Sequence, residues 1–421
     1  MPTSTLLQLV ARGRQDAYLT GNPQTTFFKH VYRRHTPFAI ESIPIEFDGT
    51  PDFGRRISCL LPRKAELLNT LFLEVDLPAL PPGPVQRYWV NDIGHAMIEE
   101  VSIEIGDKEI DKHTGAWMQI WSSFTVPADK RTAFNAMIGH SDVYPPADTS
   151  QAQRLIIPLR FWFCNTIGES LPLVALQAHP IRLILKLAPF QKLWWSADIA
   201  PTPTPNPCTT IDPVPPTRIQ LFGDYIFLDK PEREKFAAAE HEYLITQLQY
   251  SPPQSVPAGV LTANVPLTFN HACTEFIWTI QQNRIADARE WFNFSNRLND
   301  GAGDAGTSLT DPLETAVIRL DGYERFQRRH APHFRITQPF QRHTVVPAGA
   351  NDYLYDYSFS LRPEEEQPSG TLNASKIDDI VINMAFPTGQ PSAYERTIVV
   401  YTQNYNVFRV VGGLGGVAFI A

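Results

Sequence analysis

Three histidines lie close together in the segment RRHAPHFRITQPFQRH, which runs from residue 328 to residue 343. Histidines on the strands of a β-barrel can bind a metal ion, so His330, His333 and His343 are the best metal candidates in the chain. However, Pro332 interrupts the group and no carboxylate is interleaved with it. His241 begins HEYLI, which holds only the first half of the zinc pattern H-E-x-x-H and leads into a strand. We therefore expect loop or interface residues here, and no metal site.

Two other segments have residues that could do chemistry. VVGGLGGVAF, near the end of the chain, is glycine-rich like a phosphate loop, but it has no lysine and no following helix. Close backbone packing at the end of a strand is the better interpretation. The run Glu364, Glu365, Glu366 could serve acid–base catalysis or Ca²⁺ binding, and a solvated turn is the alternative that we favour. No G-x-S-x-G, P-loop or dinucleotide motif occurs, so the sequence predicts no catalytic residue, no cofactor and no enzyme activity.

Composition indicates a globular, β-rich protein. Of 421 residues, 43% are hydrophobic, and the 37 prolines disfavour long helices because each one removes a backbone donor. The net charge of −8 opposes direct binding of nucleic acid. The four cysteines lie far apart, as expected for core residues of a protein made in a reducing compartment. We expect neither a signal peptide nor a membrane span.

Alternating apolar residues predict strands along most of the chain. EEVSIEIGDKEI alternates and then turns at Gly106 and Asp107, which predicts a two-residue hairpin. ERTIVVYTQNYNVFRVV, at residues 395–411, is predicted to supply two final strands. Helices are predicted to be few and short, at 114–124, in DKRTAFNAMIG and at 229–240. For the first residues the pattern predicts either a short amphipathic helix or a flexible arm.

The strands fall into two groups separated by a proline-rich segment. We predict an N-terminal arm at 1–25, a first eight-stranded jelly roll at 26–199, a linker at 200–216 and a second eight-stranded jelly roll at 217–421. The fold class is thus all-β, two jelly rolls in tandem with a few short helices. A long segment, Asn283–Pro312, is predicted to be an exposed, mobile loop.

Several segments resemble one protein family. They are LLQLVARGRQDAYLTGNPQTTFFKHVYRRHTPFAIESI, RLIIPLRFWFCNTIGESLPLVALQAHPIRLILKL, FLDKPEREKFAAAEHEYLITQLQ, YSFSLRPEEEQPSGTLNASKIDDI and QNYNVFRVVGGLGGVAF. Together they resemble the major capsid protein of nucleocytoplasmic large DNA viruses, in the forms found in viruses of algae and amoebae. The likeness runs in order over nearly the whole chain.

The resemblance implies a structural protein of an icosahedral virion with two jelly rolls per chain. Three copies would form a homotrimeric, pseudo-hexagonal capsomer, and capsomers would tile the shell after assembly in the host cytoplasm. The partners it implies are the chain itself, neighbouring capsomers and minor capsid or penton proteins. An inner membrane is a further partner, which the N-terminal arm would reach.

The N-terminal arm is the predicted assembly element. The turn TGNP sets its direction, aromatic residues after the turn pack under the first jelly roll, and basic residues lie at the inner rim or a neighbour contact. A solvated cap on the first strand is the alternative for the same residues. The residues assigned to assembly are Phe27, Phe28, Lys29, Tyr32, Arg33 and Arg34.

A carbohydrate-binding or carbohydrate-active jelly-roll protein is the alternative function. It would need an aromatic face beside paired carboxylates, and Trp291 with Asp287 and Glu290 is the local hint of one. A trimer in solution would favour the capsid interpretation, and a monomer the alternative.

Overall fold

A computed structural model describes residues 3–81, 87–141, 151–196, 212–299, 309–389 and 392–420 of the chain. The chain divides into two compact units, residues 1–37 and residues 38–421. The first unit contains helix α1 (Thr3–Val10) and helix α2 (Arg14–Thr20). The amphipathic helix predicted at the start of the chain is therefore present.

The first half of the larger unit is built on two four-stranded antiparallel sheets. Their orders are β1-β10-β3-β7 and β2-β8-β5-β6, and a two-stranded ribbon, β4-β9, lies apart. Four strands in each sheet give the eight strands expected of a jelly roll. The strands are β1 (Phe38–Ile45), β2 (Arg56–Leu60), β3 (Leu67–Leu77), β4 (Arg87–Trp89), β5 (Ile98–Ile105), β6 (Lys108–His113), β7 (Gln153–Pro158), β8 (Ile181–Leu187), β9 (Trp194–Ser196) and β10 (Arg218–Leu228).

The alternation in sequence defines the core of this jelly roll. In β8 the four aliphatic residues at alternate positions are buried, whereas Arg182, Ile184 and Lys186 between them are exposed or half-buried. The predicted hairpin joins β5 to β6, with Gly106 and Asp107 both at positive φ. That conformation matches the twist of the flanking strands, which explains why a Gly-Asp pair is found there.

Helices cover parts of the first half: α3 (Ile93–Ala96), α4 (Gly115–Thr125) and α5 (Ala128–Ile138). Helix α4 starts where Thr114 accepts a hydrogen bond from the Trp117 backbone N–H, a favourable N-cap. It is apolar on most sides and is buried, as expected for a helix packed between two layers.

The second half contains an eight-stranded sheet and a five-stranded sheet. The first has the path β19-β15-β22-β14-β20, with β11, β12 and β23 also on β22; the second has the path β13-β21-β16-β17, with β18 also on β16. The strands are β11 (His241–Tyr250), β12 (Gln254–Val256), β13 (Thr262–Leu267), β14 (Ala272–Cys273), β15 (Glu275–Gln282), β16 (Thr315–Leu320), β17 (Tyr323–Glu324), β18 (Arg329–His330), β19 (Tyr355–Ser358), β20 (Leu372–Asn373), β21 (Ile380–Ala385), β22 (Arg396–Val411) and β23 (Leu414–Val417). Its helices are α6 (Lys230–Ala238), α7 (Asn283–Asp287) and α8 (Gln338–Arg342), the last preceded by a π-helical turn at His333–Thr337.

The C-terminal segment forms one long strand, so the prediction of two strands over residues 395–411 is wrong. Strand β22 is 16 residues long and pairs with β11 along its second part. Asn404 and Asn406 in the strand are buried and paired: the amide of Asn406 donates to Gln247, and that of Gln249 donates to Asn404. Such a buried polar ladder continues a strand where hydrophobicity alone would end it.

The strand after the proline-rich segment lies in the first half. Strand β10 pairs with β1 on one side and with β3 on the other. The division predicted at residue 217 therefore differs from the sheet topology, and we propose that the second jelly roll begins after residue 228. Of the predicted linker, residues 200–211 lie outside the described residues.

The predicted exposed loop at Asn283–Pro312 is in large part packed, so that prediction needs correction. Helix α7 begins it, and Ile285, Phe294 and Leu298 are buried. Buried amide side chains hold the turns, with Asn296 accepting from the backbone of Thr310. Residues 300–308 lie outside the described residues.

Candidate assembly surfaces and the junction between the jelly rolls

The residues predicted to mediate assembly all lie in the 1–37 unit, and all six are exposed. The side chains of Phe27 and Phe28 are each 98% exposed. The predicted turn is present, because Asn22 has positive φ and the backbone N–H of Gly21 closes helix α2 onto Ala17. Their role in assembly stays a prediction. Among the described residues, no helix has the length and hydrophobicity needed to cross a membrane.

Strand β1 is an edge strand with an apolar surface. Within the described residues it pairs with β10 alone, which places it at the edge of its sheet. Phe38 and Ile40 on this strand are 56% and 49% exposed. An exposed apolar edge of this kind is typical of a surface that another chain covers.

The C-terminal hairpin is a second exposed apolar surface. Gly412 and Gly413, both at positive φ, form the turn between β22 and β23. Val411 and Leu414 flank the turn and are exposed, as are Phe419 and Ile420 beyond it. The glycine-rich segment is therefore a hairpin packed on its neighbours, as the sequence indicated.

An aromatic cluster joins the two jelly rolls. Helix α4 of the first half supplies Trp117, Trp121 and Phe124, and these pack on residues of the second half such as Ile277 and Tyr401. The Trp117 ring stacks on Trp121 with centroids 5.3 Å apart, and on Tyr401 with centroids 5.7 Å apart. We call this set the junction cluster; its buried members are Trp117, Ile120, Trp121, Phe124, Ile277, Phe294, Tyr353, Leu354 and Tyr401.

Polar contacts reinforce the junction. The carboxylate of Asp111 on β6 accepts a hydrogen bond from the Leu248 backbone N–H of β11 at 3.1 Å. The indole N–H of Trp291 donates to the backbone oxygen of Lys192 at 2.8 Å. Because these bonds and the junction cluster connect the halves at separate places, the two jelly rolls form one body.

The predicted carbohydrate hint has a structural explanation. The carboxylate of Glu290 is buried and accepts hydrogen bonds from the Asn299 backbone N–H and from the Asn293 side chain. Trp291 packs under Lys192, with the ammonium 5.8 Å from the ring centroid. These residues hold the turn after α7.

The three histidines of the opening segment do not come together. His330 is exposed and His333 is half-buried, whereas His343, which directly follows α8, has a fully buried side chain. No carboxylate lies within the segment itself, but Glu275, Asp356 and Glu364 approach His343 from other segments. Spacing along the sequence gave no signal of this cluster, since the pairing of β15 with β19 brings Glu275 and Asp356 together and the other two members come from outside those strands.

The electrostatics of this cluster are strongly perturbed. Burial raises the pKa of the Glu275 carboxyl and that of the Asp356 carboxyl. Although burial opposes it, the pKa of His343 is raised well above its usual value, mainly by the charge of Glu275. The solvated turn expected at Glu364–Glu366 is present for Glu365 and Glu366, which are exposed, but Glu364 is half-buried. The pKa of Glu364 is lowered: burial opposes this, but hydrogen bonds from His343 and Thr344 outweigh it.

Two jelly rolls joined by the junction cluster, with apolar residues exposed at their edges, define a double jelly-roll protein. Comparison with known proteins shows to which family the chain belongs. Residues 26–229 match the family model described as major capsid protein N-terminus, and residues 232–416 match that described as large eukaryotic DNA virus major capsid protein. The chain is 36% identical to the major capsid protein of Pyramimonas orientalis virus over 98% of both chains. The chain belongs to the major capsid protein family of large eukaryotic DNA viruses.

Solved structures confirm the fold. The crystal structure of PBCV-1 VP54, fitted into a reconstruction of the virophage Sputnik, matches with a TM-score of 0.79 and 30% identity, covering 94% of this chain and all of that one. The Faustovirus major capsid protein matches with a TM-score of 0.73 at 12% identity, over 97% of this chain and 96% of that one. The chain is thus a double jelly-roll protein of a virion shell.

Proposed function

We propose that three copies of the chain form a trimeric capsomer with a pseudo-hexagonal outline, and that these capsomers tile an icosahedral shell. The observation that carries the proposal is the pair of jelly rolls held as one body by the junction cluster. Three such bodies around a threefold axis present six similar barrels. A tile with six similar sides can pave a flat facet although its symmetry is threefold.

The exposed apolar edges supply the contacts that a trimer needs. Strand β1 and the C-terminal hairpin expose large hydrophobic residues that a monomer would leave in water. Obligate interfaces bury about 2,000 Å² or more and are more hydrophobic than the remaining surface. We assign these two surfaces to contacts within the trimer.

The arm residues are proposed to make the contacts between tiles or with minor capsid proteins. Exposed aromatic rings beside Lys29, Arg33 and Arg34 combine large contact area with positive charge in a chain of net charge −8. That combination suits an acidic neighbouring surface. An inner membrane with anionic lipid would offer the same chemistry and is distinguished by the test.

Light scattering after size-exclusion chromatography tests the trimer. We expect a species of three times 47.5 kDa that persists on dilution to micromolar protein, and threefold particles in negative stain. A monomer of 47.5 kDa under these conditions would overturn the trimer.

Deletion of residues 1–20 and the variant Phe27→Ser/Phe28→Ser test the arm. Both should leave trimers intact and impair assembly of trimers into larger shells, whereas Phe340→Ser, an equally drastic change at another exposed phenylalanine, should not. Loss of the trimer itself would place the arm in the trimer core. Binding of wild-type trimers to anionic vesicles, lost in the double serine variant, would instead identify the membrane as the partner.

A further inference from the structure

A histidine and two carboxylates meet on one face of the eight-stranded sheet. Glu275 begins β15, and the antiparallel register places it opposite Ser358, while Ile277 lies opposite Asp356. Glu275 and Asp356 are therefore diagonal neighbours on the face that carries Ile277 toward helix α4. The Nε2 atom of His343 lies 3.1 Å from Oε2 of Glu275 and 3.4 Å from Oδ2 of Asp356. All three side chains are fully buried.

The other nitrogen of the imidazole is held by a third carboxylate. Nδ1 of His343 lies 2.9 Å from Oε1 of Glu364, and the same oxygen accepts the Thr344 backbone N–H at 2.9 Å. The Thr344 hydroxyl donates to the second oxygen of Glu364. The ring also packs on Phe124, with centroids 4.6 Å apart. Histidines that bind metal ions usually donate their other N–H to a carboxylate in this way, which fixes the tautomer and points Nε2 at the ion.

The polar atoms of Glu275, Asp356 and His343 that face one another make no hydrogen bond within the described residues. Within the described residues, no hydrogen bond of acceptable geometry reaches either carboxylate oxygen of Glu275 or of Asp356, nor Nε2 of His343. Buried carboxylates in this condition are costly unless a cation compensates them. With Glu364, three carboxyl groups surround one imidazole, and the charge of Arg342 also acts on Asp356.

We propose that Glu275, His343 and Asp356 bind one divalent transition-metal ion, with Zn²⁺ as the probe, and that Glu364 orients the imidazole. The three donor atoms lie within 4.8 Å of one another. With metal–ligand bonds of about 2.1 Å, the separations of Nε2 from the two carboxylate oxygens correspond to ligand–metal–ligand angles of roughly 95° and 110°. Both angles suit tetrahedral or five-coordinate geometry. Mixed imidazole and carboxylate ligands favour zinc-like ions over Ca²⁺ and Mg²⁺, which prefer oxygen alone.

A cavity of about 220 Å³ reaches the cluster at Glu364, the residue that holds the imidazole of His343. Trp121 and Tyr405 also line it. The ion would connect β15, β19 and the end of α8 at the place where His343 packs on helix α4. Its role would be structural, because it fixes the segment after α8 to the sheet beside the junction cluster.

Direct titration of the full-length protein tests the proposal. Chelator-treated protein is titrated with Co²⁺ and with Zn²⁺, and bound metal is counted after dialysis. We expect one ion per chain, visible absorption of four- or five-coordinate Co²⁺ that Zn²⁺ displaces, and a higher melting temperature with Zn²⁺. Glu275→Gln and Asp356→Asn, which keep side-chain shape, should each weaken binding at least tenfold, and Glu364→Gln about tenfold. His330→Ala, a change at an exposed histidine of the same segment, should leave binding unchanged.

X-ray absorption of the wild-type zinc form gives a readout that depends on no variant. One imidazole with oxygen ligands at about 2.0–2.1 Å is expected. Two or more imidazoles in the first coordination shell would overturn the site, as would binding that is lost in His330→Ala but kept in Glu275→Gln. Failure of wild-type protein to retain Co²⁺ or Zn²⁺ at micromolar concentration would also overturn it, and would leave the cluster as a proton-sharing network.

Discussion

Removing Trp117 should separate the unfolding of the two jelly rolls. Its ring is fully buried in the junction cluster, between Trp121 and Tyr401. A buried tryptophan replaced by alanine costs about 3–5 kcal/mol, because packing is lost and a cavity remains. Since the lost contacts lie between the halves and not inside either barrel core, we expect Trp117→Ala to convert one calorimetric transition into two.

Trp117→Phe should be far milder. The indole N–H has no hydrogen-bond partner within the described residues, so its loss leaves no acceptor unpaired. The volume removed is roughly 40 Å³, which at about 24 cal/mol per Å³ predicts a cost near 1 kcal/mol. Phenylalanine should therefore preserve a single transition.

Calorimetry at one scan rate, with limited proteolysis at temperatures between the transitions, measures both variants. Trp278→Ala is the matched control, because Trp278 is equally buried but lies in the core of the second jelly roll. It should lower the stability of that barrel without exposing the junction to protease. If Trp117→Ala melted in one transition and lost less than about 1 kcal/mol, the junction cluster would not be what couples the halves.

Two further predictions concern the start of helix α4 and its neighbour α3. Alanine favours helix, but Gly115→Ala should still destabilise the protein by about 2 kcal/mol or more, because the added Cβ would overlap the backbone oxygen of His95. Gly168→Ala is the control: a Cβ added there would meet open space, so the free energy of unfolding measured by chemical denaturation should hardly change. His95 is fully buried beside Gln119, and burial lowers its pKa to about 4. Since the unfolded chain then binds more protons between pH 6.5 and 4, the free energy of unfolding should fall by about 3 kcal/mol as the pH drops through that interval. The loss should be largely absent in His95→Gln; an unchanged slope in that variant would contradict the assignment.

Local features of the fold were predictable from the sequence. The hairpin at Gly106 and Asp107, the alternation in β8 and the cap at Thr114 each depend on neighbours a few residues away. Features that depend on distant partners were not. The continuity of β22 requires Gln247 and Gln249 to pair with its asparagines, and no pattern within the strand reveals those partners.

The histidine cluster shows the same limit at a candidate site. Glu275 and His343 are 68 positions apart in sequence, so a search for carboxylates interleaved with the histidines could not find Glu275. A glutamate among the apolar residues of β15 was the available signal, because a buried strand has no reason to carry a charge without a partner. For the arm residues the structure does not decide between the two interpretations. Their exposure is compatible both with a role in assembly and with a solvated cap on the first strand, and assembly assays are needed to separate the two.

The position of β10 explains why the two jelly rolls act as one body. This strand follows the proline-rich segment, yet it lies between β1 and β3, so the first barrel cannot be completed before the chain has passed that segment. The chain then enters α6, where Arg233 pairs with Glu66 of the first half at 2.6 Å, and continues into β11. Ile245 of β11 packs into the core of the first barrel. In the proposed shell, weak contacts between capsomers would add only if each capsomer is rigid, because a hinge between the barrels would let one contact form without positioning the next. Strand β10 of the first barrel continues through α6 into β11 of the second, and α6 and β11 both contact the first barrel. The connection between the two barrels is therefore held at this point and does not act as a hinge.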